Sequence, residues 1–221
     1  TYFDTDDSKY NHFDAIVSVH TSREISNSWQ NARAAAQQLS GHCEISVVDS
    51  QTICAGQGMI IRVAVRACES EPTFDDVVRV VRGAVDRVFA LYYVESIDYL
   101  LQNKIMSAAH TVLGTLLGIK PFLALEEGRI VPVEKVRTRT QAVERLCDFA
   151  VEFTEVEDAV ILQHKPHTTD QARMLQDRLS NEFTDRAFPT MVYSASLAAL
   201  IGAEATGVVV LEEELDLSDD F

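Results

Sequence analysis

Two short runs of apolar and β-branched residues, Ala15-Ile16-Val17-Ser18-Val19 and Ile45-Ser46-Val47-Val48, predict buried strands over Phe13 to Val19 and Glu44 to Val48. Between them, Ser26 to Leu39 predicts a helix. Its Ala32, Ala34, Ala35 and Ala36 are small enough for close packing on a sheet, Ser26 is placed to cap the first turn, and Gly41 ends it. Ile53 to Ala67 is apolar on most faces, as expected of a helix lying under a sheet. Thr73, with Asp75 and Asp76 behind it, predicts a capped helix running through Arg87, because carboxylates favour the positive end of a helix. Strand–helix alternation of this kind implies a parallel sheet with helices packed over it.

Beyond Val88 the pattern changes. Phe89 to Tyr93 reads as a strand and Ile97 to Gln102 as a short helix. Pro121–Leu125 and Arg129–Val133, joined through Glu126-Glu127-Gly128, read as an antiparallel hairpin and hence a different topology. A long amphipathic helix is expected over Thr138 to Val156 and a strand over Ala159 to Leu162. Thr169 to Phe183 reads as a helix capped by Thr168 or Thr169, and Met191–Tyr193 and Gly207–Leu211 as closing strands. Glu212 to Asp220 is an acidic run expected to be solvated. The fold class is therefore α/β: an incomplete parallel-sheet domain over 1–88 and a second α/β domain with an antiparallel hairpin over 89–221.

Composition narrows the function. With 221 residues and 47% of them apolar, the chain can bury a sizeable core. A net charge of −15 opposes binding to nucleic acid or to an anionic membrane face. No apolar run approaches the ~20 residues needed to span a bilayer, and no basic-then-apolar leader is present, so a cytoplasmic protein is expected. The four cysteines form no C-x-x-C pair, and Cys43, Cys54 and Cys68 fall in apolar patterns, which predicts reduced core thiols.

Three groups of residues could carry chemistry. The segment His20 to Ser28 lies at the carboxyl end of the first strand and opens the next helix, where hydroxyls and free N–H groups can hold a carboxylate or phosphate. An ordinary cap with a polar loop reads equally from the same residues. Asp49 and Ser50, with Thr52, Gly56 and Gly58, follow the second strand. The glycines either admit a ligand or permit tight helix packing, and they do not match a dinucleotide fingerprint. The third group is cationic: Lys104, Lys120, Lys135 and Arg137, around the hairpin of an otherwise acidic chain. Such a group could receive a phosphate or an acidic partner, or be a solvated basic edge. His164-x-x-His167 contains Pro166 and lacks a Cys/His partner set, which argues against zinc. No nucleophile elbow, H-E-x-x-H or Ser-His-Asp ordering is present.

In this order, Val47-Val48-Asp49-Ser50, Gly118-Ile119-Lys120-Pro121, Glu127-Gly128 and Val131-Pro132-Val133-Glu134-Lys135-Val136-Arg137 resemble the DegV family of bacterial fatty-acid-binding proteins. The resemblance is good over roughly residues 13 to 150. It implies a carboxylate-binding segment in which Ser22, Ile25, Ser26, Ser28 and Trp29 match, while Arg23 replaces a serine and Asn27 a glycine. Asn tolerates the left-handed backbone that a glycine there would allow. Ser22 is then the first candidate for the carboxylate contact, with Ser26 next and Arg23 a possible replacement donor. Asp49, Ser50, Gly56 and Gly58 would wall or support the lipid tunnel, as would the apolar stretches Ile53–Ala67 and Val112–Gly118, and Lys104, Lys120 and Arg137 would meet a partner or its phosphate. Two departures stand out. The family's first quarter, with a threonine that shares the carboxylate, has no counterpart, and Leu200 stands where the family carries a histidine.

What the resemblance implies is a non-enzymatic cytoplasmic carrier, without cofactor or metal. It would bury a long-chain fatty acid between two domains and present it to a kinase subunit, with no nucleic acid and no stable membrane insertion involved. A divergent member with a lost or altered ligand and a regulatory or structural role stands beside that reading. So does an enzyme acting on a small carboxylated or phosphorylated substrate.

Overall fold

The computed structural model describes residues 15–39, 41, 43–106, 118–184 and 186–214. Its elements in chain order are β1 (Ala15–His20), α1 (Ser28–Gln38), β2 (Glu44–Asp49), α2 (Ala55–Ser70), α3 (Phe74–Val85), β3 (Val88–Val94) and α4 (Asp98–Gln102). They continue as β4 (Lys120–Glu126), β5 (Arg129–Val136), α5 (Arg139–Val151), β6 (Val156–Gln163), α6 (Asp170–Glu182), β7 (Thr190–Val192), α7 (Ala195–Ile201) and β8 (Ala205–Glu212). The expected wall segment Val112–Gly118 lies outside the described residues except for Gly118, as does the acidic tail beyond Glu214.

β1 and β2 form a two-stranded parallel sheet with Ala15 opposite Glu44 and His20 opposite Asp49. The other six strands form a second sheet in the order β5-β4-β3-β8-β6-β7, antiparallel throughout except for the β6–β7 pair. β3 therefore opens a new sheet instead of extending the parallel one.

The strand period of two divides the core. Ala90, Tyr92 and Val94 of β3 point to one face, where they meet Val209 and Leu211 of β8, Met59 and Val63 of α2, Leu100 of α4 and Leu197 of α7. Leu91 and Tyr93 point to the other, against Leu146 of α5 and Leu175 of α6. A third cluster joins Val48 of β2 to Ile60, Ala64 and Ala67 of α2 and Val77 and Val81 of α3. α2 thus serves both units, with Met59 and Val63 turned to the large sheet and Ile60, Ala64 and Ala67 to the small one. Burying the Val, Leu, Ile and Met side chains among these contributes about 1.5–3 kcal/mol each.

Several local expectations shift. Ser26 does not cap α1. The N-cap is Asn27, without a side-chain bond, while Ser26 Oγ accepts from Ser28 N at 3.1 Å. Asn27 has φ −78°, so no left-handed residue is needed there. Thr73 and Thr169 do cap their helices, accepting from Asp76 N and Ala172 N. The helix expected over Thr138 to Val156 ends at Val151, because Val156 is buried and paired with Glu212 in β6. Thr138 and Gln141 close its start with a capping box. Helix α7, capped by Ser194, was not expected from the sequence and contains Leu200, which packs on the Tyr92 cluster. α2 is exposed along Ile61, Val65 and Cys68, so it is only partly covered. Of the four cysteines only Cys147 is buried; Cys43 is half-buried and Cys68 exposed, which corrects the expectation of core thiols for those two, while half-buried Cys54 packs against the Tyr92 cluster.

Candidate functional site

The parallel register brings the carboxyl ends of β1 and β2 together, and the loops leaving them are bonded to each other. Ser50 N donates to His20 O at 3.0 Å and Ser22 N to Thr52 O at 2.9 Å. Asp49 accepts from the backbone N–H of Arg23 (3.2 Å) and of Gln51 (3.0 Å), and its other oxygen lies 3.5 Å from Arg23 Nε. Ser50 Oγ is spent within its own loop, donating to Thr52 O at 3.2 Å. Asp49 and Ser50 therefore build the loop pair. Burial pushes the His20 imidazole down, favouring its neutral form.

Ser22 is completely buried where this loop pair meets the β4–β5 turn. Its hydroxyl donates to Gly128 O at 2.7 Å and accepts from Glu24 N at 3.2 Å. Above it, Arg129 pairs with Glu24 at 2.7 Å. Ser26 follows half-buried, its N–H on Ser22 O at 2.9 Å, while Arg23 is exposed, with its guanidinium carbon 5.8 Å from the Trp29 ring centroid.

The two glycines of α2 have opposite roles. A Cβ on Gly56 would collide with Thr52 Oγ1 and come within 2.9 Å of Val88 Cγ1, so this glycine lets α2 approach β3. A Cβ on Gly58 would meet nothing within 4 Å. Gly58 instead lines a cleft of about 490 Å³, walled by Cys54, Met59, Val160, Met191 and Val192 and rimmed by the Arg62–Asp158 ion pair. That volume falls in the range of small-molecule sites, roughly 300–1,000 Å³. Cys54 Sγ accepts from Ser194 N at 3.2 Å and packs, with Ile25 and Ala55, against the Tyr92 cluster. The Tyr92 hydroxyl is sealed from solvent without a hydrogen-bond partner among the described residues, and burial, then the proximity of Cys54, pushes its pKa up.

The cations do not assemble as one basic site. Lys120 and Arg139 converge on Glu95, Arg139 Nε at 2.7 Å, and the Tyr93 hydroxyl donates to the same carboxylate at 3.0 Å. Burial alone would raise the Glu95 carboxyl, but the hydrogen bonds from Lys120, Arg139 and Tyr93 outweigh it and hold the pKa below the ordinary value. Lys135 and Arg137 are exposed on β5 and just beyond it. Lys104 is exposed in a left-handed turn with φ 58°. Glu95, the hub, was not singled out in the sequence. Its only local signal is a carboxylate directly after the apolar run Tyr92-Tyr93-Val94. It borders a cleft of about 240 Å³ shared with Arg139, His164, His167 and Glu204. No group of three or more His, Cys, Asp or Glu positioned for a metal occurs among the described residues, and none of their helices is long and apolar enough to cross a membrane.

Comparison with known proteins fits this architecture. A DegV domain-containing protein of Streptomyces coelicolor is 33% identical over 201 residues, covering 89% of this chain and 70% of that protein. A fatty-acid-binding DegV family protein of Streptococcus agalactiae superposes with a TM-score of 0.82 at 23% identity, over 93% of this chain and 73% of that one. The B3 protein of the Streptococcus pneumoniae fatty acid kinase, solved loaded with linoleic acid, superposes with a TM-score of 0.77 at 17% identity, over 90% and 72% of the two chains. The family model described as "Uncharacterised protein, DegV family" matches residues 5–213, and the chain belongs to that family.

Proposed function

We propose that this protein is a carrier that binds a long-chain fatty acid between the β1–β2 unit (1–88) and the six-stranded unit (89–221), and that it presents the carboxylate to a kinase subunit in the cytoplasm. The observation that carries this reading is a fully buried hydroxyl, Ser22, whose backbone is bonded to the loop that leads into an apolar cleft. Ser22 is bonded to Thr52, and Cys54 and Gly58 of that cleft follow within six residues. Ser22 would hold the carboxylate, supported by Ser26 and Arg23. The cleft along α2 would take acyl carbons, each contributing about 0.8 kcal/mol when buried. The fatty acids named for the two solved relatives support the same ligand class. Lys104 and Arg137, both exposed, are the proposed partner contacts. Lys120, held by Glu95, would act by fixing that edge.

Native mass spectrometry of the purified protein, followed by denaturing extraction, tests the reading. A stoichiometric fatty acid is expected, and Gly58→Leu, which fills the cleft, should lower its amount severalfold. Recovery of no lipid, together with no uptake of added oleic acid, would refute the carrier.

A further inference from the structure

The Ser22 hydroxyl carries one proton, and a carboxylate oxygen can only accept. That proton is already committed to Gly128 O at 2.7 Å, while a lone pair of the same oxygen takes the Glu24 N–H at 3.2 Å. A carboxylate at Ser22 and the Gly128 carbonyl therefore compete for a single hydrogen bond. Resting on the carrier reading, we propose that the β4–β5 turn is a ligand-displaced lid. In the closed state its Gly128 carbonyl occupies the place of a carboxylate oxygen, and the arriving carboxylate takes the Ser22 proton and releases the turn.

The turn is built for close approach and weak retention. Glu127 (φ 48°) and Gly128 (φ 81°) are both left-handed, which aims the tip at the loop pair, and a Cβ on Gly128 would collide with Ser22 Oγ and sit 3.4 Å from Gln51 Cα. Only glycine lets the carbonyl come that near. Leu125 and Ile130 at the base of the turn pack on the Tyr92 cluster, and at the tip the other polar tie among the described residues is the Arg129–Glu24 ion pair, in which Arg129 is 69% exposed. Such a pair is worth little in water, so the Ser22 bond is the main specific polar contact at the tip. The lid also gives the carrier a readable state. Filling the head-group site would change the hairpin whose far end carries Lys120 and leads to Arg137, close to the proposed partner contacts.

Hydrogen exchange over residues 124–131 of the intact chain, stripped of lipid, tests this with oleic acid and with 1-octadecene, a chain of the same length without an acceptor. Oleic acid should speed exchange of this segment roughly fivefold, the scale of one net hydrogen bond, whereas octadecene should leave it unchanged. Gly128→Ala should bind oleic acid about fivefold faster. If that variant does not fold, the wild-type exchange measurement decides alone. Oleic acid that binds while leaving the segment unchanged, or slowing it, overturns the lid and leaves the carrier standing. Failure of oleic acid to bind at all removes both.

Discussion

The two ends of the β4–β5 hairpin are held in opposite ways. At the turn, a neutral hydroxyl takes a backbone carbonyl, with a solvent-exposed ion pair above it. Eight residues before Gly128, at the start of β4, Lys120 meets the Glu95 carboxylate, which also collects Arg139 and the Tyr93 hydroxyl. The ionic end is pinned by a largely buried charge that several donors share. The turn end depends on one proton that a ligand could claim. Cations that the sequence offers for ligand or partner binding are thus partly consumed in structure, and the group nearest to a ligand role is an uncharged serine.

The ionic end should be the costliest to break. Glu95→Ala leaves Lys120 and Arg139 without their carboxylate and the Tyr93 hydroxyl without its acceptor, so a loss of about 3 kcal/mol is expected in urea unfolding. The pH dependence follows from the depressed carboxyl. A group whose folded pKa lies below its unfolded value contributes stability that is present above the unfolded value, 4.5 for this carboxyl, and is lost as the pH falls toward the folded one. The stability gap between wild type and Glu95→Gln should therefore be full at pH 7 and shrink on acidification below about pH 4.5. A gap that does not change with pH would show that Glu95 acts through packing alone.

Local elements were legible from the sequence where the signal was local. The strand alternation, the Gly128 turn and the Thr73 cap each rest on neighbours within a few residues. What escaped depends on distant partners. Lys120 and Arg139 are 25 and 44 residues from Glu95, and Ser22 is 106 residues from Gly128. The family resemblance singled out Ser22, Lys120 and Arg137, but spacing could not reveal that Ser22 and Lys120 already have partners. Helix α7 was missed because a seven-residue Ala/Leu segment after a strand has too little periodicity to declare itself. Gly56 and Gly58 look alike in the chain and differ only in what stands opposite each.

That difference gives the intermediate effect, at the turn end. Gly56→Ala drives a methyl into Thr52 Oγ1 and Val88, and Thr52 is the residue whose carbonyl holds Ser22 N. Overpacking of this kind costs about 2 kcal/mol, and here it should also loosen Ser22. Lower stability together with weaker fatty acid uptake is expected, read by urea unfolding and by lipid titration. Lost stability with uptake intact would separate α2 packing from the head-group loop.

The smallest effect is expected at Arg129, and it is the most direct probe of how the two ends differ. Its guanidinium is 69% exposed and its partner Glu24 is 31% exposed, so water and salt screen the pair. Arg129→Ala should cost no more than about 0.5 kcal/mol, and the stability difference should vanish in 1 M NaCl, where the Debye length falls to about 3 Å. At the other end, the Glu95→Ala difference should largely survive the same salt, because that carboxylate is only 10% exposed. A loss above about 1.5 kcal/mol for Arg129→Ala would mean that the turn is clamped by charge after all. A single serine proton would then no longer be the contact that decides whether the hairpin stays down.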